Sequence, residues 1–303
     1  NGMDQTFMTA TQMQFPHYDW WRSTDNGGTG PHTTPDGEVP KIIQIEGGYE
    51  SGMALMNSGE LYHWGYGGHG QTGDASTSNR SYPTRVGGSD TNVYLAANDS
   101  NHVFRSVRIK RCFISNWQGY NDNTHSCYAI DEDGELWSWG YNGYGQLGNG
   151  NTSNQSVPVK IDKATNFNNS EIEAFWCFGE SYTWAMAYTK EKKLYVWGYN
   201  GNGQLGIGNT SNQSSPQEVT TQTFDGSGVG EIKKVQGTAR SSDGNMAILT
   251  ERGTIYTTGK NDHGWMGNGN TTNLNTWTIC SNGAGNASNA DCENFWMGGN
   301  GSY

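Results

Sequence analysis

One glycine-rich aromatic segment recurs along the chain, and this repetition constrains the fold more than any other feature of the sequence. Three copies share Leu-aromatic-x-Trp-Gly followed by Gly-Gln-x-Gly, and they lie at residues 61–73, 136–148 and 194–206. A fourth copy at 255–267 has Thr258 in the place of the tryptophan, and a decayed copy precedes the others at 21–30. Repetition with a period of tens of residues is typical of solenoids and propellers.

The register within each copy is fixed, whereas the distance between copies varies. Nineteen residues separate the tryptophan position from a proline position in the pairs Trp21 and Pro40, Trp64 and Pro83, Trp139 and Pro158, and Trp197 and Pro216. In the last copy the same spacing runs from Thr258 to Trp277, so both marker residues differ. Successive tryptophan positions lie 43, 75, 58 and 61 residues apart. Insertions therefore follow the proline, as expected for packed strands joined by tolerant surface loops.

Each copy predicts a β-hairpin. A short apolar run such as 128–130 precedes a polar turn at 133–134, and the aromatic-rich run follows. Glycines at fixed offsets beyond the hairpin indicate positive φ or close backbone approach. One hairpin cannot bury both of its faces, so a repeated β module of this size predicts an all-β propeller of four-stranded antiparallel blades.

The repeat resembles that of the regulator of chromosome condensation family, whose pattern reads Leu-x-x-Trp-Gly-x-Asn-x-x-Gly-Gln-Leu-Gly and then Pro-x-x-Val. Residues 136–159 and 194–219 match it closely, residues 61–86 match it well, and residues 255–280 and 20–43 match it in part. The resemblance implies a β-propeller, typically of seven blades. We interpret the chain as a divergent microbial or viral member of that family.

The repeats divide the chain into units that correspond to about five blades in all. Residues 1–17 are expected to form an N-terminal arm or the end of a preceding repeat. The remaining units are 18–46 (partial), 47–111, 112–172, 173–230, 231–291 and the start of a further repeat at 292–303. Because both ends fall inside a repeat, we expect a piece of a longer chain, part of a seven-bladed ring; a closed five-bladed ring is the alternative.

The composition disfavours several classes of protein. Eighteen Lys and Arg against 29 Asp and Glu give a net charge of −11, which disfavours a nucleic-acid partner, and the longest basic cluster is only Arg108, Lys110 and Arg111. No run of 18 or more apolar residues exists, so we expect no membrane span. Glycine and asparagine are abundant, which disfavours a helical bundle.

The motifs that suggest chemistry are weak, and we expect neither an enzyme, nor a cofactor, nor a metal site. Three Gly-x-Gly-x-x-Gly strings, at 68–73, 143–148 and 201–206, have no helical pattern after them, so a structural role in blade turns is favoured over phosphate binding. Residues 131–133 resemble the start of a calcium loop but lie on a hairpin turn. Five cysteines include no Cys-x-x-Cys pair; buried thiols are favoured over a bridge between Cys280 and Cys292.

One position inside the glycine loop differs in every copy. Its residues form a candidate recognition ring: Asn26, His69, Tyr144, Asn202 and His263. Equivalent positions of a propeller lie on one face, so variable residues on a fixed scaffold are able to form a binding surface. The alternative is that the position faces water and drifts freely.

These observations favour a non-enzymatic structural or recognition module. We expect an extracellular or virion-surface location, in a fibre, a tail or a microbial surface, with a protein or glycan partner in a larger assembly. One alternative is the namesake activity that the resemblance implies, nucleotide exchange on a small GTPase beside chromatin. The other is a secreted propeller that inhibits an enzyme through the same ring of residues.

Overall fold

The computed structural model of the chain describes residues 41–48, 50–87, 104, 107–115, 123–179, 182–226, 230–240, 243–280 and 292–295. The described part is a β-propeller with four blades, each a four-stranded antiparallel sheet, so the predicted fold class is confirmed. The partial copy at 18–40 lies outside the described residues, as does Asn26. No helix in the described ranges is both long enough and apolar enough to cross a membrane.

The strands of each blade follow one another in chain order. Blade 1 contains β1 (Ile42–Gly47), β2 (Ser51–Met56), β3 (Leu61–Gly65) and β4 (Arg80–Arg85). Blade 2 contains β5 (Ile109–Ile114), β6 (Ser126–Asp131), β7 (Leu136–Gly140) and β8 (Gln155–Ile161). Blade 3 follows the short helix α1 (Lys163–Asn166) and contains β9 (Ile172–Phe178), β10 (Trp184–Thr189), β11 (Leu194–Gly198) and β12 (Gln213–Glu218). Blade 4 contains β13 (Ile232–Arg240), β14 (Asp243–Thr250), β15 (Ile255–Gly259) and β16 (Leu274–Ile279).

The hairpin predicted in each copy is the pair of middle strands of a blade. In blade 2, for example, Tyr128 pairs with Ser138 and Ile130 pairs with Leu136. The sheets are out of phase with the repeat units drawn from the sequence, because the boundaries at 46/47, 111/112 and 172/173 fall within the first strands of blades 1, 2 and 3. The division into those units stays a prediction.

The hydrophobic core is divided into three clusters, and each cluster joins two successive blades. Met53 and Leu55 of blade 1 pack with Trp137 and Trp139 of blade 2 in the first cluster. The second cluster joins blades 2 and 3, and the third joins blades 3 and 4. Each sheet is therefore stabilised by its neighbours as well as by its own strand pairing.

A tryptophan on the third strand fastens each of two blades to the preceding one. The indole Nε1–H of Trp139 donates to the backbone oxygen of Gln71 at 2.8 Å, and that of Trp197 donates to Gln146 O at 2.9 Å. Both rings are fully buried. Gly148 lies over the Trp197 ring with φ of +73°, and a Cβ there would stand 2.8 Å from Nε1. These tryptophans therefore pack one blade against the next, and the glycine is needed for close approach.

In blade 4 the indole comes from a different strand. Thr258 stands at the tryptophan position and donates its hydroxyl to the backbone oxygen of Gly203 at 3.0 Å. Trp277, at the proline position of β16, puts its ring against Gly206, where blade 3 has Trp197 against Gly148. The changes at the tryptophan position and at the proline position therefore compensate each other, because a ring from β16 fills the volume that a ring from the third strand fills in blade 3. Nε1 of Trp277 finds no acceptor among the described residues.

A buried asparagine folds the long loop between the third and fourth strands. The Asn200 side chain donates to the backbone oxygens of Asn209 and Ser211, at 3.0 and 3.1 Å, and accepts from Leu205 N–H at 3.0 Å. Asn142 and Asn261 make the same bonds in blades 2 and 4. The asparagine after Trp-Gly-Tyr is therefore a structural residue that satisfies backbone groups inside the loop.

We expect the blade 4 exchange to be reversible by a paired substitution. Thr258→Trp alone overpacks the junction and should lower the free energy of unfolding by about 1–3 kcal/mol. Trp277→Pro alone empties the space and should lower it by about 3–5 kcal/mol. The double variant restores the arrangement of blade 3 and should recover at least about 1 kcal/mol of the summed losses. Urea unfolding of the four proteins measures this; additive losses would contradict the exchange.

Asn200→Ala should lower the free energy of unfolding by about 1–3 kcal/mol, because it leaves the buried Leu205 N–H and two backbone oxygens without partners. Thr210→Ala, in the same loop, is the matched control, because the Thr210 side chain is exposed. The control should change the free energy by no more than about 0.5 kcal/mol. Equal losses in both variants, measured by chemical denaturation, would refute the role of Asn200.

Candidate recognition face

The order of the strands places two kinds of connection at opposite ends of every blade. The connections between first and second strands and between third and fourth strands share one face, here called the loop face. The tight turns between second and third strands, together with the starts of first strands, share the opposite face, here called the turn face. The recognition ring predicted from the sequence belongs to the loop face.

The turn face carries many ion pairs. Lys192 pairs with Glu173 at 2.7 Å and with Glu231 at 3.0 Å, and so connects three strand ends across the junction of blades 3 and 4. Other pairs on this face are Arg85 with Glu60, Arg108 with Glu132, Lys160 with Glu135, Lys190 with Glu171, and Lys193 with Glu218. The charges of this face are thus largely matched with each other.

The four described residues of the predicted ring occupy one position of the loop. The backbone N–H groups of His69, Tyr144 and Asn202 each donate to the side-chain oxygen of the glutamine two residues later, at 2.8, 2.8 and 3.0 Å. These three side chains are half-buried, whereas His263 is exposed. In blade 4 the glutamine is replaced by Trp265, which is 43% exposed.

The half-buried ring residues contact tyrosines of the next blade. The His69 ring lies 5.2 Å from Tyr141 between centroids and 6.1 Å from Tyr66. Tyr144 stacks on Tyr182 at 4.9 Å. Tyr199 completes that second group. These six residues, here called the aromatic face, lie across the junctions of blades 1 with 2 and 2 with 3: Tyr66, His69, Tyr141, Tyr144, Tyr182 and Tyr199.

The hydroxyls of Tyr144 and Tyr199 stay protonated. Burial, with the neighbouring Tyr182, raises the pKa of Tyr144, and burial also raises the pKa of Tyr199. Burial lowers the pKa of His69, so its imidazole is neutral at pH 7. Neutral phenols and imidazole offer stacking area and hydrogen-bonding groups at small entropic cost, which suits recognition.

Sequence reasoning named the positions of the candidate ring but missed the residues around them. Tyr66, Tyr141 and Tyr199 follow Trp-Gly in three successive copies, and this recurrence was the available signal. Tyr182 lies in the connection between β9 and β10, where no repeat marks it. Two described members of the ring, His69 and Tyr144, join the aromatic face, whereas the His263 ring lies 5.6 Å from that of Trp265 in its own loop.

The other motifs have structural roles. The Gly-x-Gly-x-x-Gly strings form turns between antiparallel strands, as predicted. Asp131 is buried and accepts from Glu135 N–H and from Trp137 Nε1, at 2.9 and 2.8 Å. Of the basic cluster, Arg111 donates to the backbone oxygen of Glu173, at 3.0 Å, and Arg108 is part of the ion pairs above. All five cysteines are free thiols, two of them buried.

In the part of the chain that the structure describes, one group of side chains has metal-binding chemistry. It comprises His63, His125 and Cys127, which lie inside the first blade junction and beside the aromatic face, because His125 O accepts the backbone N–H of Tyr141. No sequence pattern marks this group, because His63 is 62 residues from His125 in the chain and belongs to a different repeat.

Three curated relatives are 27–28% identical to the chain over the residues that align. The ultraviolet-B receptor UVR8 of Arabidopsis thaliana is 27% identical over 267 residues, covering 84% of this chain and 51% of its own length. The human E3 ubiquitin-protein ligase HERC2 is 28% identical over 262 residues, 76% of this chain and 5% of that protein. The mitochondrial RCC1 domain-containing protein RUG3 of Arabidopsis is 27% identical over 92% of this chain and 60% of its own length. The chain thus spans about half the length of UVR8.

Solved structures show the same fold. Human WBSCR16 superposes with a TM-score of 0.57 at 23% identity, covering 80% of this chain and 53% of its own. Yeast RCC1 (Prp20), in the structure with Kap60, superposes with a TM-score of 0.58 at 16% identity, covering 80% of this chain and 49% of its own. At these identities the comparison supports the propeller fold and no particular activity.

A family model matches more than half of the residues. The model of the regulator of chromosome condensation (RCC1) repeat matches residues 58–104, 133–184 and 192–239, and a second model of that repeat matches residues 42–71. These matches include the Trp-Gly and Gly-Gln-x-Gly segments of blades 1 to 3, which fasten the blades together. The chain belongs to the regulator of chromosome condensation (RCC1) repeat family.

Proposed function

We propose that this chain is a non-enzymatic binding module whose aromatic face holds a protein partner. The observation that carries the proposal is the asymmetry of the two faces. The turn face carries most of the ion pairs between described residues. The loop face has the pairs of Arg80 with Asp74 and of Lys260 with two aspartates, and it presents half-buried rings that bridge blade junctions. Aromatic anchors on a rigid base are the usual centre of a protein interface.

The relatives support a protein partner. Yeast RCC1 was solved with Kap60 bound to it, so a protein that contains this fold has a protein partner. The composition supports it as well, because a chain with a net charge of −11 repels the phosphates of nucleic acid. A glycan ligand is the other outcome that aromatic residues allow, and binding of the purified chain to a glycan array would replace the protein partner in the proposal.

The proposed location is extracellular or on a virion or microbial surface. It is supported by the low charged fraction of 16%, compared with roughly 25% in ordinary globular chains, and by loops rich in Asn, Ser, Thr and Gly. Fractionation of the source should recover the chain in particles or cell envelopes; recovery only from soluble cytosol would refute the location and leave the binding proposal standing.

Nucleotide exchange on a small GTPase is the second candidate, and the family relationship favours it. Secreted enzyme inhibition is the third, and it would use the same face. A panel of small GTPases loaded with fluorescent GDP tests the second candidate: acceleration of GDP release by catalytic amounts of the chain would replace the passive role with a regulatory one.

The aromatic face should control affinity for the partner. A photo-crosslinking amino acid at Asn202, on the loop face, should capture the partner in the native source, whereas the same group at Glu132, on the turn face, should not. For the captured partner, the double variant Tyr144→Ser/Tyr182→Ser should raise Kd at least about tenfold, because two anchors of about 1 kcal/mol or more are removed.

The matched control is Lys190→Ser/Glu171→Ser, which removes one exposed ion pair of the turn face. Exposed pairs contribute no more than about 1 kcal/mol to stability, so this control should fold normally and keep the affinity. Calorimetric titration of the three proteins measures the difference. If the tyrosine variant kept its affinity and the control lost it, the interface would lie on the turn face, and the proposal would be rejected.

A further inference from the structure

Three buried side chains with ligand atoms meet between blades 1 and 2. His63 lies on β3 of blade 1, Cys127 lies on β6 of blade 2, and His125 precedes β6. One ligand atom from each lies within 4.8 Å of the other two. The two imidazoles are stacked, with centroids 5.9 Å apart and planes 18° from parallel. Two segments of the chain, far apart in sequence, thus place three donor atoms close together.

Three nitrogen atoms of this group lack partners among the described residues. Neither ring nitrogen of His63 has a hydrogen-bond partner among the described residues, and neither has Nε2 of His125. His63 and Cys127 are 0% exposed and His125 is 3% exposed. Burying a polar nitrogen without a partner costs about 1–3 kcal/mol, so three such atoms at one place indicate a ligand that satisfies them.

The other junctions of the propeller show that the fold does not require these residues. Cys127 pairs across the strand with Trp139, and the corresponding partner of Trp197 is Ala185. His125 O accepts the backbone N–H of Tyr141, and Thr183 O accepts that of Tyr199.

His63 precedes the tryptophan of its copy, where blade 2 has Ser138 and blade 3 has Val196. The junction of blades 2 and 3 therefore carries Ser138, Thr183 and Ala185 at the three equivalent positions. A serine, a threonine and an alanine suffice for packing there. The two histidines and the cysteine of the first junction are additions beyond what packing needs.

The chemistry of the three donors selects the ligand. Imidazole and thiolate are the donors that copper and zinc take from proteins, and a thiolate favours a soft ion. Burial lowers the pKa of both His63 and His125, the latter to about 4, so both rings are neutral and keep a lone pair free for a metal. Burial raises the pKa of Cys127, whose thiol is protonated until a metal displaces the proton.

We propose that His63, His125 and Cys127 form a binding site for one monovalent copper ion inside the first blade junction. On binding, the thiol of Cys127 loses its proton to solvent, the sulfur bonds to copper, and each imidazole donates one nitrogen lone pair. No electron is transferred. The backbone oxygen of Gln71, 3.7 Å from the sulfur, already accepts from Trp139 and remains paired when the thiol proton leaves.

Charge and coordination number favour Cu⁺ over Zn²⁺. One thiolate, two neutral imidazoles and Cu⁺ make a neutral complex, whereas Zn²⁺ would leave one positive charge in a buried site that has no carboxylate in its group. Structural zinc takes four protein ligands, and this group offers three. Ligand atoms around such an ion stand roughly 3.5 Å apart, given metal–ligand bonds of about 2.0–2.3 Å, so the group needs to close by about 1 Å.

Competition for Cu⁺ tests the site in the full chain. Under anaerobic conditions the chain should withdraw one equivalent of copper from the bicinchoninate complex. The variant His63→Ser/His125→Thr/Cys127→Ala installs the residues of the next junction, so it should fold, and it should lose more than the roughly 10–100-fold in affinity that removal of a supporting contact costs. Copper should also raise the Tm of the unsubstituted chain and leave that of the variant unchanged.

Cys280→Ser is the matched control, because it removes a half-buried thiol of blade 4 and leaves the group intact. It should keep the one tight equivalent. X-ray absorption of the loaded chain should show two nitrogen ligands and one sulfur. Equal copper binding by the triple variant would overturn the proposal, and so would tighter binding of Zn²⁺ than of Cu⁺ by the unsubstituted chain. A failure here leaves the aromatic face untouched, since the two sites share no residue.

Discussion

The hydrogen bond from a tryptophan indole to a glutamine backbone oxygen in the preceding blade is the contact on which the first two described blade junctions depend. It joins two sheets that have no strand pairing with each other, and it is formed inside a core cluster that spans the same two sheets. The acceptor lies in the connection between the third and fourth strands of the preceding blade, on the loop face. The same contact therefore holds that connection in place. The position of the aromatic side chains is thus a consequence of blade packing.

The sequence predicted the elements whose cause is periodic. Strand pairs, turns and the packing tryptophans recur at fixed spacing, so repetition revealed them without coordinates. The tyrosines after Trp-Gly were also periodic, but their meaning depends on contact between blades: Tyr141 matters because His69 of the preceding copy lies against it. Tyr182 and the group of His63, His125 and Cys127 have no periodic signal. They are brought together by the stacking of sheets, which local patterns in one sequence do not encode.

The two faces divide the work of the molecule. Paired charges hold strand ends together across the turn face, as Lys192 does for Glu173 and Glu231. Neutral rings occupy the loop face, where asparagines such as Asn200 hold the backbone rigid beneath them. A rigid support means that few rotamers are lost when a partner binds, so modest contact area is enough for useful affinity.

The indole of blade 4 shows that what persists between copies is an occupied volume at the junction, whichever strand supplies it. Thr258 supplies the hydrogen bond and Trp277 supplies the ring that Trp197 supplies alone in blade 3. A sequence motif that requires tryptophan at one repeat position therefore does not detect blade 4. Divergence in such an array is then free to shift a large side chain sideways to the adjoining strand, provided that the losing position shrinks at the same time. A blade designed by taking the consensus residue at each repeat position separately would have a tryptophan at both of these positions or at neither. Such a blade would not pack well against its neighbours.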